Sequence, residues 1–264
     1  IPSVIIGLLA AFGAGALKAN TASYNTALAR HALELNTTGA YNTGVGLQAL
    51  YDNTTGSHNT ALGHQSLFNN TVGQKNLAVG ALSLYANVSG SNNTALGYSA
   101  LNQCTGSSNV AVGIESQHAT TSGNHNTSVG TQSLKQNNTG TKNVAVGYHS
   151  LISNTSGYNN TALGYEAQRT QTTGFNNVAI GYRAGYSNDS GSSNNAIGNE
   201  ALQNNLGSNN NALGYQALKA NTSGTHNIAI GTYTLDANTT GAQNVAIGVS
   251  ALSSNTTADL NTAV

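Results

Sequence analysis

At 264 residues the chain is long enough for one or two globular domains, yet only 6% of it is charged, 31 residues are Gly, and Trp and Met are absent; an ordinary domain carries charge on about a quarter of its residues. Eight basic and eight acidic residues, scattered singly, sum to zero and exclude a nucleic-acid footprint or a polybasic membrane patch. One cysteine, Cys104, excludes an internal disulfide framework.

The first stretch, Ile1 to Leu17, holds no charge and at first resembles a membrane segment. It sits at the lower length limit for spanning, carries Pro2 and three glycines, and has no basic region before it, so a signal peptide is not supported and a membrane anchor is the weaker of two readings. Residues 11–21 overlay residues 212–222: Phe12-Gly13 falls on Leu213-Gly214 and Lys18-Ala19-Asn20-Thr21 on Lys219-Ala220-Asn221-Thr222. Residues 1–10 are therefore expected to form an N-terminal cap or subunit junction, and residues 11–264 a repeat array.

From Asn25 the phrase repeats without a linker. One glycine recurs at 46, 63, 80, 97, 113, 130, 147, 164, 181, 198, 214, 231 and 248, every 17 residues except for two intervals of 16. A fixed period held this long marks a solenoid or fibre array. With the repeat asparagine counted as position 1, position 4 is aliphatic throughout (Leu96, Val112, Val129, Val146, Leu163, Ile180 among others). Position 3 is nearly always Ala, position 8 small, and position 9 Leu except at Gln117, Gln168 and Gly185. Positions 2, 4 and 6 share the strand period, position 5 glycine permits a bend, and Asn-Thr-Thr-Gly at positions 12–15 is turn chemistry in which glycine accepts φ > 0.

These patterns predict an all-β fold: a parallel β-solenoid, or β-roll, of about fifteen coils of 16–17 residues, each with two short strands and two corners. The position-4 aliphatics are expected to stack as the core column. One-residue deletions fall in the same turn each time, near Asn20, Cys104 and Asn205, which marks an exposed corner. At about 4.8 Å per coil the array would be about 70 Å long. It stops in mid-repeat at Val264, so a segment of a longer fibre is expected.

The phrase Asn-Thr-Ala-Leu-Gly-Tyr followed by Asn-Thr-Thr-Gly resembles arrays in phage tail-fibre-like proteins and bacterial surface proteins. Asn143-Val144-Ala145-Val146-Gly147 and Asn244-Val245-Ala246-Ile247-Gly248 are similar to the head motif of trimeric autotransporter adhesins, although that family's coil is shorter. The resemblance implies a parallel β-roll with three chains intertwined or side by side in a homotrimeric fibre.

Candidate chemistry is sparse. His58, His125 and His226 share position 17 but are coils apart, and read as solvated turn residues rather than a metal site. Cys104 reads as a surface thiol without a basic partner. Glu115, Glu166 and Glu200 lie near position 7 in separate coils and make no carboxylate pair. No catalytic, cofactor-binding or metal residue is expected. Asn-x-Ser/Thr sequons at Asn36, Asn53, Asn87, Asn137, Asn154, Asn188, Asn221, Asn238 and Asn255 fall in the turn where a glycan would fit; further sequons stand at Asn69, Asn92, Asn126 and Asn159. The expectation is a non-enzymatic structural fibre or filament shaft, extracellular, on a cell surface or in a virion. Its partners would be copies of itself as a homotrimer or end-to-end filament, with a host receptor or glycan in an adhesive role, and neither nucleic acid nor membrane insertion. The alternative is an ice-binding solenoid built on the ladder Thr37, Thr54, Thr155, Thr222 and Thr239.

Overall fold

The structure, a computed structural model, describes residues 10–264. Apart from Ala10, the expected N-terminal cap or junction lies outside the described residues. The chain divides into two compact units, the first ending at Asn126 and the second spanning Thr127–Val264.

Both units are parallel β-solenoids with one three-residue strand per full coil. The first holds β1 (Ala10–Phe12), β2 (Thr26–Leu28), β3 (Thr43–Val45), β4 (Thr60–Leu62), β5 (Leu77–Val79), β6 (Thr94–Leu96) and β7 (Val110–Val112). The second holds β8 (Thr127–Val129), β9 (Val144–Val146), β10 (Thr161–Leu163), β11 (Val178–Ile180), β12 (Asn195–Ile197), β13 (Asn211–Leu213), β14 (Ile228–Ile230), β15 (Val245–Ile247) and a two-residue β16 (Thr262–Ala263). Within each unit every strand pairs in parallel with the next in sequence. The register places like positions together: Leu96 over Val112, Val129 over Val146, Leu163 over Ile180. The repeat thus does fix an all-β, parallel, in-register stack.

The core is phased one residue away from the expected one. The position-4 aliphatics stack, but they point outward: Leu163 is 45% exposed and Leu213 49%. Strand side chains alternate, so with positions 2 and 4 outside, positions 1 and 3 are inside. Position 3 is Ala27, Ala61, Ala78, Ala95 and Ala111 in the first unit and Ala145, Ala162, Ala179 and Ala229 in the second, all buried. The interior is too narrow for a larger side chain on the strand side, and the leucines that fill it come from position 9, opposite. Leu33, Leu50, Leu67, Leu84 and Leu101 form that column in the first unit, and Leu134, Leu151, Leu202, Leu218 and Leu235 line the second. Each buried leucine contributes about 2 kcal/mol of transfer free energy.

The expected second strand is not formed. Positions 7 and 9 take left-handed backbone, as at Gln48 (φ 57°) and Leu50 (φ 53°). Ala49 N–H donates to the Gly46 carbonyl at 3.1 Å and Asn53 N–H to Leu50 at 3.2 Å, so this side is two linked turns. Left-handed residues alternate the direction of the inter-coil bonds: Gln48 N–H reaches Arg30 in the preceding coil at 3.1 Å, and Leu50 N–H reaches Ser66 in the following one at 3.0 Å. A leucine in this region is strained in isolation; neighbouring coils on both sides over-determine it.

Two asparagine columns close the coil. Asn42 Nδ2 and Asn53 Nδ2 both donate to the Gly56 carbonyl, at 2.8 and 3.0 Å, clamping the corner. Asn42 Oδ1 accepts from the Asn59 N–H at 2.9 Å, and Asn53 Nδ2 reaches Asn36 Oδ1 in the coil before at 2.6 Å. Buried amides satisfied in this way impose the 17-residue register. The corner glycine is required for close approach: a Cβ on Gly39 would lie 2.7 Å from Asn36 Oδ1 and 2.9 Å from Asn53 Nδ2. Its φ is not left-handed, contrary to expectation; that demand falls on position 5, where Gly181 has φ 134°.

Candidate functional site

The outward side of the sheet is the most distinctive surface of either unit. Alternation sends positions 2 and 4 out, and the position-5 glycine turns the chain so that position 6 flanks them. In the second unit these three rows are Thr127, Val129, Thr131; Val144, Val146, Tyr148; Thr161, Leu163, Tyr165; Val178, Ile180, Tyr182; Asn195, Ile197, Asn199; Asn211, Leu213, Tyr215; Ile228, Ile230, Thr232; and Val245, Ile247, Val249. None is charged, and all are exposed or half-exposed. Tyr148, Tyr165 and Tyr182 stack along the axis with ring centroids 5.3 and 5.5 Å apart. The first unit has a similar strip, with Leu62, Leu96, Tyr98 and Ile114 exposed on it, interrupted at position 6 by Arg30 and His64. Exposed apolar area that is continuous rather than scattered marks an association surface.

Most of the charge in the second unit is gathered beyond the strip, at positions 7 and 10. Arg183 Nε donates to Glu166 Oε2 at 2.8 Å, and Arg169 Nη1 donates to the Tyr186 hydroxyl at 2.6 Å. Lys219 Nζ and Gln216 Nε2 both donate to Glu200 Oε2 at 2.7 Å. The Lys219 hydrogen bond holds the Glu200 carboxyl below the usual range. His149 faces Gln132 Oε1 at 2.7 Å; its burial, and then the Arg169 charge, push its pKa down. Each cation here has a local partner, so the stripe ties coils together and leaves no convergent acid–base pair.

His58, His125 and His226 are exposed, and among the described residues no group of three or more His, Cys, Asp or Glu could hold a metal. Glu166 and Glu200 are bridged to different cations, and Glu115 lies in the other unit. Cys104 is buried, not a surface thiol; desolvation raises its pKa to about 11. No helix among the described residues is long and apolar enough to cross a membrane.

The turn asparagines are not in the exposed position expected of glycan acceptors. Asn36, Asn53, Asn87, Asn137, Asn154, Asn188, Asn221 and Asn238 are buried, and only Asn255 is partly exposed. Asn53, Asn154, Asn221 and Asn238 each use Nδ2 twice, toward the corner glycine carbonyl and the asparagine of the preceding coil. A sugar on Nδ2 would break one of these bonds and would need space the corner lacks. The sequon asparagines that do face solvent are Asn92 and Asn159 at position 17. The threonine ladder is likewise occupied: the hydroxyls of Thr37, Thr54, Thr155, Thr222 and Thr239 donate to carbonyls of the following coil at 2.9–3.1 Å.

Reading the strip as core hid it in the sequence. The available signal was the contrast between positions 3 and 4: a site that accepts almost only Ala is sterically limited, whereas one that accepts Leu, Val and Ile alike is not.

No protein-family model matches the chain, and no characterised protein matches it in sequence. The fold defines its class, a parallel β-solenoid repeat protein. Within that class the second unit presents an uncharged strip on the outward side of its sheet.

Proposed function

We propose that the chain is a structural fibre or filament shaft of a virion or cell surface, without enzymatic activity, whose partners are copies of itself and whose outer surface serves host attachment. The observation that carries this is the coupling of coil to coil. Strand, turn and corner backbone groups bond to the coil above or below, and both asparagine columns run the same way, so each unit gains rigidity along one axis. The commitment of the threonine hydroxyls to inter-coil bonds favours this function over ice binding.

Negative-stain micrographs of the purified protein test it. Particles much longer than wide, of one width, are expected; compact, isometric particles would end the proposal. Thermal hysteresis at micromolar protein would restore the ice-binding alternative.

A further inference from the structure

We infer that the uncharged strip of the second unit is a contact surface for the same strip of another copy of this chain, with the two solenoid axes parallel and equal coils at equal height. The inference rests on the structural-shaft proposal above and adds to it the surface, the direction and the register.

Area comes first. Eight coils at about 4.8 Å, and positions 2 to 6 at about 3.3 Å per residue, give a strip of roughly 500 Å² in projection. That is at the upper end of the apolar patches that monomers leave uncovered, and side-chain relief adds to the area in contact. Geometry points to the occupant. The ridges of the strip recur at every coil, because the rows pair in register from Thr127 to Ile247. A helix, at about 5.4 Å per turn, falls out of step within a few coils. Another solenoid of the same period stays commensurate along the whole strip.

Register is set by the carboxamide belt. Asn195, Asn199 and Asn211 form a belt between the block around Leu163 and Ile180 and the block around Ile230 and Ile247. Asn195 Nδ2 donates to Asn211 Oδ1 at 2.6 Å, which leaves the Asn195 carbonyl and the Asn211 amide without each other's complement. Beside the belt lies a shallow depression lined by Asn195, Ile197, Asn211, Ala212, Leu213 and Ile230. With axes parallel and coils level, the belt of one copy meets the belt of the other and amide faces amide. Slippage by a coil or two, or antiparallel axes about another level, would set carboxamides against Leu163, Ile180 or Ile230 and leave them buried without partners. A single buried asparagine fixes the register of a coiled coil in the same way.

Sedimentation equilibrium of the full chain tests the contact. Association beyond the monomer is expected, and Ile180→Asp with Leu213→Asp should weaken it on the order of a hundredfold or more, because two carboxylates would be buried in each copy. Thr173→Asp, exposed and off the strip, should leave it unchanged, with circular dichroism showing that all variants are folded. Cysteine trapping tests direction and register: Ile180→Cys and Ile230→Cys, placed in separate proteins, should each form a disulfide with their own kind. In Asn195→Val with Asn211→Val, association should persist while Ile180→Cys begins to cross-link to cysteines at other levels. A monomeric wild type, association untouched by the aspartates, or disulfides only between unlike levels would overturn the inference. A monomer that is still elongated in micrographs would end this contact and leave the shaft proposal standing; compact particles would end the shaft proposal itself.

Discussion

Asn205 lies one coil beyond Asn188 in the same asparagine column, yet its amide does not reach the Asn188 side-chain carbonyl, which stays buried without a donor. The cause is the shortened turn after Asn205. Its Nδ2 swings to the Gly207 carbonyl at 2.8 Å, while its Oδ1 accepts from Asn221 at 2.6 Å and from Asn210 at 3.1 Å. Asn87 precedes the other internal shortened coil, and its carbonyl is orphaned too. There the column residue is Cys104, which makes only long contacts, 3.7 Å to the Gly106 carbonyl and 3.6 Å from Asn109 Nδ2. One coil further on, the buried Thr120 hydroxyl has no partner.

Cys104→Asn should therefore stabilise the protein. With Asn205 as the template, the new amide donates to Gly106, and its carbonyl accepts from Asn109 and from the Thr120 hydroxyl. At about 1 kcal/mol net for a buried hydrogen bond, a gain of about 1–2 kcal/mol should appear as a higher urea midpoint with unchanged slope. A lower midpoint would mean that the column is not what holds the corner.

The native thiol should be inert. Burial and a pKa of about 11 keep Cys104 protonated and out of reach at neutral pH. An aromatic disulfide reagent should titrate one thiol in denaturant and almost none in its absence; rapid labelling of the folded protein would show that this coil opens.

Leu151 and Leu163 look alike in the sequence, and the structure separates them: Leu151 is fully buried at position 9, and Leu163 is 45% exposed at position 4. Leu151→Ala should cost about 2–5 kcal/mol of chain stability, and Leu163→Ala, measured on dilute monomer, about 0.5 kcal/mol or less. The reverse order would restore the core expected from hydrophobicity alone. That expectation failed for a physical reason. Period, parallel pairing and register follow from spacing, and spacing is visible in the chain. The direction in which an alternating strand faces depends on the width of the interior, which shows only indirectly, in the Ala at position 3 and the buried Asn at position 1. The left-handed turns at positions 7 and 9 were less legible still, because Leu, Gln, Glu and Ser there carry no glycine signal and are held by neighbouring coils rather than by their own propensity. The same indirectness made the sequons look exposed, since Asn-Thr-Thr-Gly is turn chemistry whether its asparagine faces in or out.

Ala29 occupies position 5, where most of the coils have glycine, and it keeps the glycine backbone with φ 125°. An L side chain at such an angle costs about 1–3 kcal/mol, so Ala29→Gly should raise the stability of the first unit, net of the entropy glycine adds to the unfolded chain. The opposite change, Gly181→Ala, adds the same strain and places a Cβ 2.6 Å from the Gly198 carbonyl oxygen. It should cost several times more, with loss of cooperative melting. Equal, small effects from both would show that position 5 is not under steric control.

His149 gives the second unit a dependence on pH whose sign can be worked out. Its ring is packed between Gln132 and the stripe of Glu166 and Arg169, with Nδ1 buried and unpartnered. Desolvation, Arg169 and Lys135 lower its pKa, and Glu166 only partly opposes them. The unfolded chain therefore binds this proton more readily than the folded one, so stability is full above the ordinary histidine value of about 6.5 and falls as pH drops through that value toward the lower folded one. Glutamine occupies the same position one coil earlier, at Gln132, so His149→Gln should keep the inter-coil hydrogen bond and remove the titration. Melting temperatures from pH 8 to pH 5 should fall for the wild type and stay flatter for the variant; parallel curves would place the acid sensitivity elsewhere, with Glu200 the next group to examine because its lowered pKa acts at more acidic pH.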